Sequence, residues 1–183
     1  MNLKNSENHF GFVNIFLHWV MAVLIISMLG LGLYMVSLPI NLEKLKLYGW
    51  HKEYGCVVLG LAVFRLMWRI TNIMPQLSLP FLERLAARAM HWAFYGFMFA
   101  MPLSGWLMTS AAGLPVSFFG LFVLPNLIHS NEEYRQLFQL AHKWLGYGLI
   151  TAIVLHTSAA LKHHFIDKDD ILRRMLPWSN KKN

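Results

Sequence analysis

Four long apolar segments set the fold that this chain can adopt. The chain has 183 residues, of which 56% are hydrophobic, and its apolar segments lie at about 14–36, 51–70, 89–110 and 138–161. A helix needs about 20 apolar residues to cross the hydrocarbon core of a bilayer. Backbone groups in lipid must be hydrogen-bonded internally, so each segment should be helical. We therefore predict an all-α fold: one integral membrane four-helix bundle that forms a single transmembrane domain over residues 1–183.

The basic residues predict the orientation of this bundle. The formal net charge is +7. One side of the predicted topology, with both termini and the second connection, holds Lys4, Arg65, Arg69, Arg84, Arg88, Lys162, Lys168, Arg173, Arg174, Lys181 and Lys182. The other side holds only Lys44, Lys46, Lys52, Arg135 and Lys143. Cytoplasmic loops carry the excess of Lys and Arg, so both termini should lie in the cytoplasm. Charges that flank membrane spans favour this interpretation over nucleic-acid binding, and we expect no nucleic-acid partner.

The connecting segments should be short and should lie at the membrane surfaces. We predict a short outer loop at 39–50, before the second span. Residues 114–128 are apolar but are interrupted by Pro115, Gly120 and Pro125, so they are too short and broken to span. We expect them to form a re-entrant or interfacial lid on the outer face. The mixed apolar and basic tail at 169–176 should lie on the inner membrane surface.

Four histidines near the ends of the apolar segments are the candidate functional residues. An unpartnered imidazole is expensive to place in a bilayer. The predicted topology places His18 and His156 in the cytoplasmic half, and His51 and His142 in the outer half. The fourteen residues between His142 and His156 correspond to about 21 Å of helix rise. At about 100° per residue, both side chains fall on one face of the fourth helix. We therefore predict two stacked metal centres, with the pairs His18/His156 and His51/His142.

Two histidines per centre fit haem better than zinc. Zinc normally takes four protein ligands, or three and a water, whereas haem iron already has four ring nitrogens and needs only two axial ligands. Cys56 is the only cysteine, so the C-x-x-C-H signature of covalent attachment is absent and the haems should be of b type. Small residues four positions after each histidine would leave room for a flat macrocycle; these are Ala22, Gly55, Gly146 and Ala160. Small residues are also common at membrane helix contacts in general.

Several short motifs occur in a fixed order along nearly the whole chain. They are Leu17-His18-Trp19, His51-Lys52 with Gly55, Pro102-Leu103-Ser104-Gly105, Phe118-Phe119-Gly120 to Leu124-Pro125, His142-Lys143 with Gly146, and Leu155-His156 followed by His163-His164. Through these motifs and their order, the chain resembles the bacterial cytochrome b561 family of di-haem membrane proteins. The resemblance implies four helices, two b haems, electron exchange with quinone and a place as a multi-pass protein in the bacterial inner membrane. It also implies that the four histidines chosen above are the haem ligands.

Three cations are candidates to bind the haem propionates. Arg65 lies fourteen residues after His51 and shares its face at the depth of the inner haem. Its guanidinium suits bidentate carboxylate binding, although an arginine that marks the membrane edge would look the same. Lys52 and Lys143 adjoin the outer ligands and are candidates for the outer propionates, or are solvated residues.

Two further histidines lie near the inner centre. His91 is a rival axial ligand there, which we rank below His18 and expect to act through hydrogen bonding or to lie at the interface. His163 follows His156 by seven residues and continues its face toward the cytoplasm. It is a candidate to protonate a quinone that takes electrons from the inner haem; an exposed interfacial histidine is the alternative.

The leading hypothesis is transmembrane electron transfer through two b haems, with ubiquinone as the substrate and a possible redox partner protein. Whether the chain is itself an enzyme stays open. One alternative is a superoxide oxidase that passes electrons from superoxide outside the membrane to ubiquinone, since outer lysines would attract an anion. A second is a membrane anchor subunit of a larger dehydrogenase or hydrogenase. A third is a haem-free proton or metal transporter that uses the intramembrane histidines.

Overall fold

The computed structural model describes residues 2–7, 9–75 and 79–176, and four long helices form most of it. The helices are α1 (Phe12–Ser37), α2 (Leu42–Ile70), α3 (Phe81–Ala111) and α4 (Glu132–Lys162). Each of them contains one of the apolar segments identified in the sequence. A π-helical turn, His163–Asp167, continues α4, and a short 3-10 helix follows at Arg173–Met175. The tail residues Lys181 and Lys182 lie outside the described residues.

Helix α2 begins much earlier than the sequence indicates. The loop expected at 39–50 is wrong, because the helix starts at Leu42. The side chain of Asn41 accepts a hydrogen bond from the Lys44 amide at 2.8 Å, which satisfies a free donor of the first turn. Asn131 caps α4 in the same way, through the Tyr134 amide at 3.0 Å. Hydropathy marks where a helix enters lipid, whereas these caps mark where the backbone becomes helical.

The helices differ in how apolar they are. Within the described part of the chain, α1 and the 132–167 helix that includes α4 are long and apolar enough to cross a membrane. Helix α2 carries Lys52, Glu53 and Arg65 inside its predicted span, and α3 carries Trp, Tyr and His residues. Large apolar side chains are exposed along α1, where Val23 is 65% and Val36 is 70% exposed. An apolar surface of this kind is suited to contact with lipid.

A small β-hairpin follows α3. Its strands, β1 (Val116–Phe118) and β2 (Phe122–Leu124), pair antiparallel, with Val116 opposite Leu124. Phe119 and Gly120 have φ values of 50° and 73°, which allow a tight hairpin connection whose twist matches that of the strands. Leu121 is 77% exposed at the tip. The apolar segment at 114–128, which we expect to form a lid on the outer face, thus contains a hairpin.

The first and last described segments of the chain lie at one end of the bundle. The Trp19 indole at the start of α1 donates a hydrogen bond to the Met175 carbonyl at 2.7 Å. The Asn5 side chain donates to the Ile73 carbonyl, just after α2, at 2.8 Å. We call this the terminal end. The opposite end, where the hairpin lies beside the start of α2, is called the hairpin end.

Helices that are adjacent in the sequence pack against each other. Helix α3 packs extensively on α4, and α2 packs on both α1 and α3, whereas α4 has few direct backbone contacts with α1 or α2. Between the two ends, Met21, Ala62, Tyr95 and Met98 form a buried core cluster. This apolar layer separates the two ends of the bundle, and the polar site residues lie above and below it.

Candidate metal centres

Each of the four helices contributes two site residues that are fourteen positions apart. The pairs are His18 and Gly32 in α1, His51 and Arg65 in α2, His91 and Gly105 in α3, and His142 and His156 in α4. A spacing of fourteen corresponds to a rise of about 21 Å on nearly the same helix face. The eight residues therefore form two layers, one toward each end of the bundle. The sequence shows this spacing, but only the packing shows that all four helices use it.

The layer at the hairpin end brings His51 and His142 together. Their ring centres lie 6.1 Å apart, with 76° between the ring planes. Metal–imidazole bonds of about 2.0 Å place the centres of two axial rings on one metal about 6 Å apart. The separation of this pair therefore matches two axial ligands on a single metal.

Helix α3 orients the ring of His142. Its Nδ1 lies 3.1 Å from the Met101 carbonyl oxygen and 2.9 Å from Ser104 Oγ. A carbonyl oxygen can only accept, so Nδ1 carries the proton and donates it, which leaves the lone pair on Nε2. A Cβ at Gly105 would come within 3.3 Å of His142 Cε1, so glycine gives this ring its space. A metal-binding histidine typically has its second nitrogen bound in this way.

The ring of His51 lies against α1 and has an unused nitrogen. Its Nδ1 is buried and has no hydrogen-bond partner among the described residues. Buried polar atoms are nearly always partnered, so an imidazole nitrogen without a protein partner fits a metal ligand. A Cβ at Gly32 would lie 3.4 Å from His51 Cε1, and one at Gly55 would meet nothing within 4 Å. Open space beside Gly55 suits a flat group next to this histidine.

The layer at the terminal end contains three imidazoles. The ring centres of His18 and His156 are 6.3 Å apart, and those of His91 and His156 are 6.2 Å apart. The ring of Phe94 packs on His156 with centres 5.2 Å apart. Ring separation therefore supports the predicted pair His18/His156, but it supports His91 as a partner of His156 equally well.

Arg65 also belongs to the terminal-end layer. Its Nη2 lies 3.4 Å from His18 Nδ1, and its side chain is half-buried. A guanidinium only donates, so Nδ1 of His18 accepts in this contact and a neutral ring carries its proton on Nε2. Binding of a metal at Nε2 would require that proton to leave or to move to Nδ1. Either arrangement changes the Arg65 contact.

These donors fit b-type haem. Each histidine pair joins α4 to a helix with which it has few direct backbone contacts, so a flat group between the rings need not displace a packed helix interface. Two neutral nitrogen ligands complete the coordination of haem iron but not that of zinc. His18, His51, His142 and His156 are therefore the side chains that could hold such groups, with His91 as the rival for His18.

The other predicted site residues lie near these layers. At the hairpin end, the Lys52 ammonium donates to the Pro115 carbonyl at 3.3 Å, and Lys143 is exposed. At the terminal end, His163 Nδ1 lies 2.7 Å from Asp169 Oδ2 and 3.2 Å from Asp167 Oδ2. The sequence spacing places His163 near this end but does not reveal its carboxylate partners.

Several supporting residues were missed in the sequence. Ser104 and Gly105 were recognised only as parts of a motif, without a role. Gly32 and Asp169 were not singled out at all. The fourteen-residue offset from a histidine on the same helix would have found Gly105 and Gly32, because each occupies the layer position that a histidine occupies elsewhere.

The sequence of this chain is similar to those of several known proteins. Residues 9–178 match the family described as prokaryotic cytochrome b561. The chain is 36% identical to cytochrome b561 homolog 2 of Escherichia coli (strain K12), over 98% of this chain and 97% of that protein. It is 30% identical to cytochrome b561 homolog 1 of the same organism, over 93% and 98% of the two chains. It is also 30% identical to a probable superoxide oxidase, CybB, of Yersinia pestis, over 69% of this chain and 73% of that one.

Proposed function

Because the chain belongs to the prokaryotic cytochrome b561 family, we propose that it carries electrons through two b haems and exchanges them with the ubiquinone pool. The family makes it a membrane protein with b-type haem and a role in electron transfer. The number of haems, their ligands and the quinone are our proposal. We also propose that the protein spans the bacterial inner membrane several times and has both termini in the cytoplasm. The excess of basic residues at the terminal end supports this orientation.

The observation that carries this proposal is the presence of two histidine pairs in two layers, with ring centres 6.1 and 6.3 Å apart. When bound, haem supplies one-electron redox chemistry in each layer. His51 and His142 would hold one group, and His18 and His156 the other. A haem held by two histidines would have no open coordination position, which would favour electron transfer over oxygen chemistry.

Three cations would bind the propionates. Arg65 is placed for this role once the proton of His18 moves to Nδ1, because the guanidinium then loses its acceptor there. Guanidinium and carboxylate pair through two parallel hydrogen bonds. Lys52 and Lys143 flank the hairpin-end histidines in sequence and would serve the other group.

His163 would donate protons to the quinone at the terminal end. Reduction of one ubiquinone to ubiquinol consumes two electrons and two protons, so a proton donor is needed near the site. Asp169 Oδ2 lies 2.7 Å from His163 Nδ1, which would fix that proton and leave Nε2 to exchange protons with substrate. The backbone reinforces this contact, because the Asp169 amide donates to the His163 carbonyl at 3.1 Å.

Stopped-flow spectroscopy of the purified protein in lipid nanodiscs would test the proposal. We expect a reduced sample to carry two b haems per chain, and both should be reoxidised on mixing with a short-chain ubiquinone. A protein that contains haem but stays reduced with quinone would remove the quinone from the proposal. A colourless protein would remove the whole electron-transfer function and favour a histidine-based transporter.

The role of His163 has its own test. His163→Gln should slow quinone reduction by about a hundredfold, the lower end of the range for general acid catalysis, without loss of either haem. Asp169→Asn should slow it less. Asp170→Asn is the matched control and should leave the rate unchanged, because Asp170 is exposed and pairs with Arg173 at 3.4 Å. Unchanged quinone kinetics in His163→Gln would end this assignment.

Superoxide is the second candidate donor, and one relative favours it. A protein that is 30% identical to this chain over 69% of its length is described as a probable superoxide oxidase. In such a reaction two superoxide anions would each lose one electron to give O₂, and one quinone would take both electrons and two protons. Rapid mixing of oxidised protein with superoxide should then reduce the haems before quinone is added. Haems that stay oxidised would exclude superoxide as the donor.

A further inference from the structure

A cavity of about 310 Å³ lies at the terminal end, between the end of α2 and the start of α3. Its lining includes three arginines, which are Arg69, Arg84 and Arg88. Among the described residues, none of the three forms an ion pair. Glu83, which adjoins Arg84 in sequence, lies 3.5 Å from Lys162 instead. Positive charges that converge without an anion repel one another, so a negatively charged ligand would stabilise this arrangement.

The cavity adjoins the terminal-end layer. His91 lines it, and the ring centre of His91 lies 6.2 Å from that of His156. Arg69 is one helical turn beyond Arg65, which contacts His18. Its guanidinium also packs over Trp92 and Tyr95, 5.6 and 5.5 Å from the ring centres, which holds it in place. A group held by the histidines of this layer therefore has this cavity beside it.

We propose that this cavity binds the propionate carboxylates of the terminal-end haem, which rests on the proposed haem function. The two propionates are the negatively charged substituents of haem, and buried carboxylates must be paired. Arginine binds carboxylates through two parallel hydrogen bonds, and three such groups provide more donors than two carboxylates need. Phe10, Met74 and Pro75 form the rest of the wall and would pack against the apolar edge of the group. Arg65 would then be the fourth cation of this cluster.

The test uses the purified holoprotein with haem labelled with ¹³C at the propionate carboxyl carbons. The variant is Arg84→Gln combined with Arg88→Gln, and Arg173→Gln is the matched control. Arg173 lies at the same end of the bundle but pairs with Asp170 at 3.4 Å. Redox-difference infrared spectra report the labelled carboxylates, and a redox titration reports both haem potentials.

We expect the double variant to shift labelled carboxylate bands and to lower the midpoint potential of one haem, because loss of positive charge disfavours the added electron. The control should change neither. If the double variant does not assemble, Arg88→Gln alone should shift the same bands, because Arg88 is exposed and its loss disturbs little packing.

Three results would overturn the inference. A shifted potential with unchanged labelled bands would mean that the arginines act through space and do not touch the propionates. Unchanged bands with loss of co-purified acidic phospholipid would mean that the cavity binds a lipid phosphate. Unchanged bands, potentials and lipid would mean that it binds neither. Wild-type protein without haem would instead contradict the proposed function itself.

Discussion

The two ends of the bundle use the same scaffold in different ways. At the hairpin end two histidines face each other, and the remaining helices contribute Gly32 and Gly105, which make room for the rings. At the terminal end the equivalent positions of the other helices hold Arg65 and His91. The hairpin-end layer thus contains one possible pair of imidazoles and no charged side chain. The terminal-end layer contains a third imidazole and a guanidinium.

The difference shows what a helix position fourteen residues from a histidine can do. Glycine at this position leaves only two imidazoles in the layer, so the proposed pair of ligands has no rival there. A polar side chain there adds charge and hydrogen bonding, which tune a redox group. Four guanidinium groups lie at the terminal end, in or beside its layer, so we expect the haem there to be the more easily reduced of the two.

The largest effect should come from removal of a histidine that belongs to one layer only. His51→Ala should eliminate the hairpin-end haem and keep the other, so that haem per chain falls by half in a pyridine haemochrome assay. His129→Ala, in the loop before α4, is the control and should keep both. Loss of both haems from His51→Ala with a folded chain would show that the layers are not separate centres.

His18 and His91 provide the next test, which resolves the ambiguity of the terminal end. His18→Ala should eliminate the terminal-end haem, because we propose that His18 pairs with His156. His91→Ala should keep two low-spin haems and change only the potential of one. Electron paramagnetic resonance of the oxidised proteins distinguishes the two results. The reverse pattern would make His91 the ligand and leave His18 as a partner of Arg65.

Ser104→Ala should have a smaller effect, confined to the hairpin end. The hydroxyl lies 2.9 Å from His142 Nδ1 and also donates to the Met101 carbonyl at 2.8 Å. Loss of such a supporting contact typically weakens metal binding by about tenfold. The measurement is haem retention during dilution into detergent. The control is Ser110→Ala. Ser110 also lies on α3, but its hydroxyl contacts the Leu127 amide, so its loss should leave haem retention unchanged.

Lys52→Gln combined with Lys143→Gln should have the smallest effect. If superoxide is the donor, loss of two cations at the hairpin end should slow its reaction by about threefold at low salt and less at high salt. Glu53→Gln is the control and should not slow it. A rate that depends on neither the two lysines nor the salt concentration would exclude electrostatic attraction of superoxide to the hairpin end.

The sequence predicted the four helices well, because apolar length and internal hydrogen bonding leave few alternatives in lipid. It also predicted that His51 and His142 lie close together, because topology and helix rise fix their depth; that they are a ligand pair stays a prediction. It failed where local chemistry decides, because Asn41 starts α2 well before the apolar segment. The hairpin within 114–128 depends on Phe119 and Gly120 at positive φ; that this segment forms a surface lid stays a prediction.

The terminal end was harder to predict for a different reason. Hydropathy and residue spacing predict the depth of a histidine in the membrane and the helix face on which it lies. These two properties do not distinguish His18 from His91 as the partner of His156. Only the packing shows that the two rings lie almost equally close to it. The contact between Asp169 and His163 depends on a π-helical turn followed by Lys168 at φ 53°, which no periodic pattern predicts.

Haem stoichiometry of the wild-type protein, combined with a spectroelectrochemical titration, tests the central claim most directly. The account predicts two b haems per chain that titrate as two components, each six-coordinate and low-spin. A chain that binds a single haem, or whose haems bind carbon monoxide readily because a coordination position is open, would contradict it.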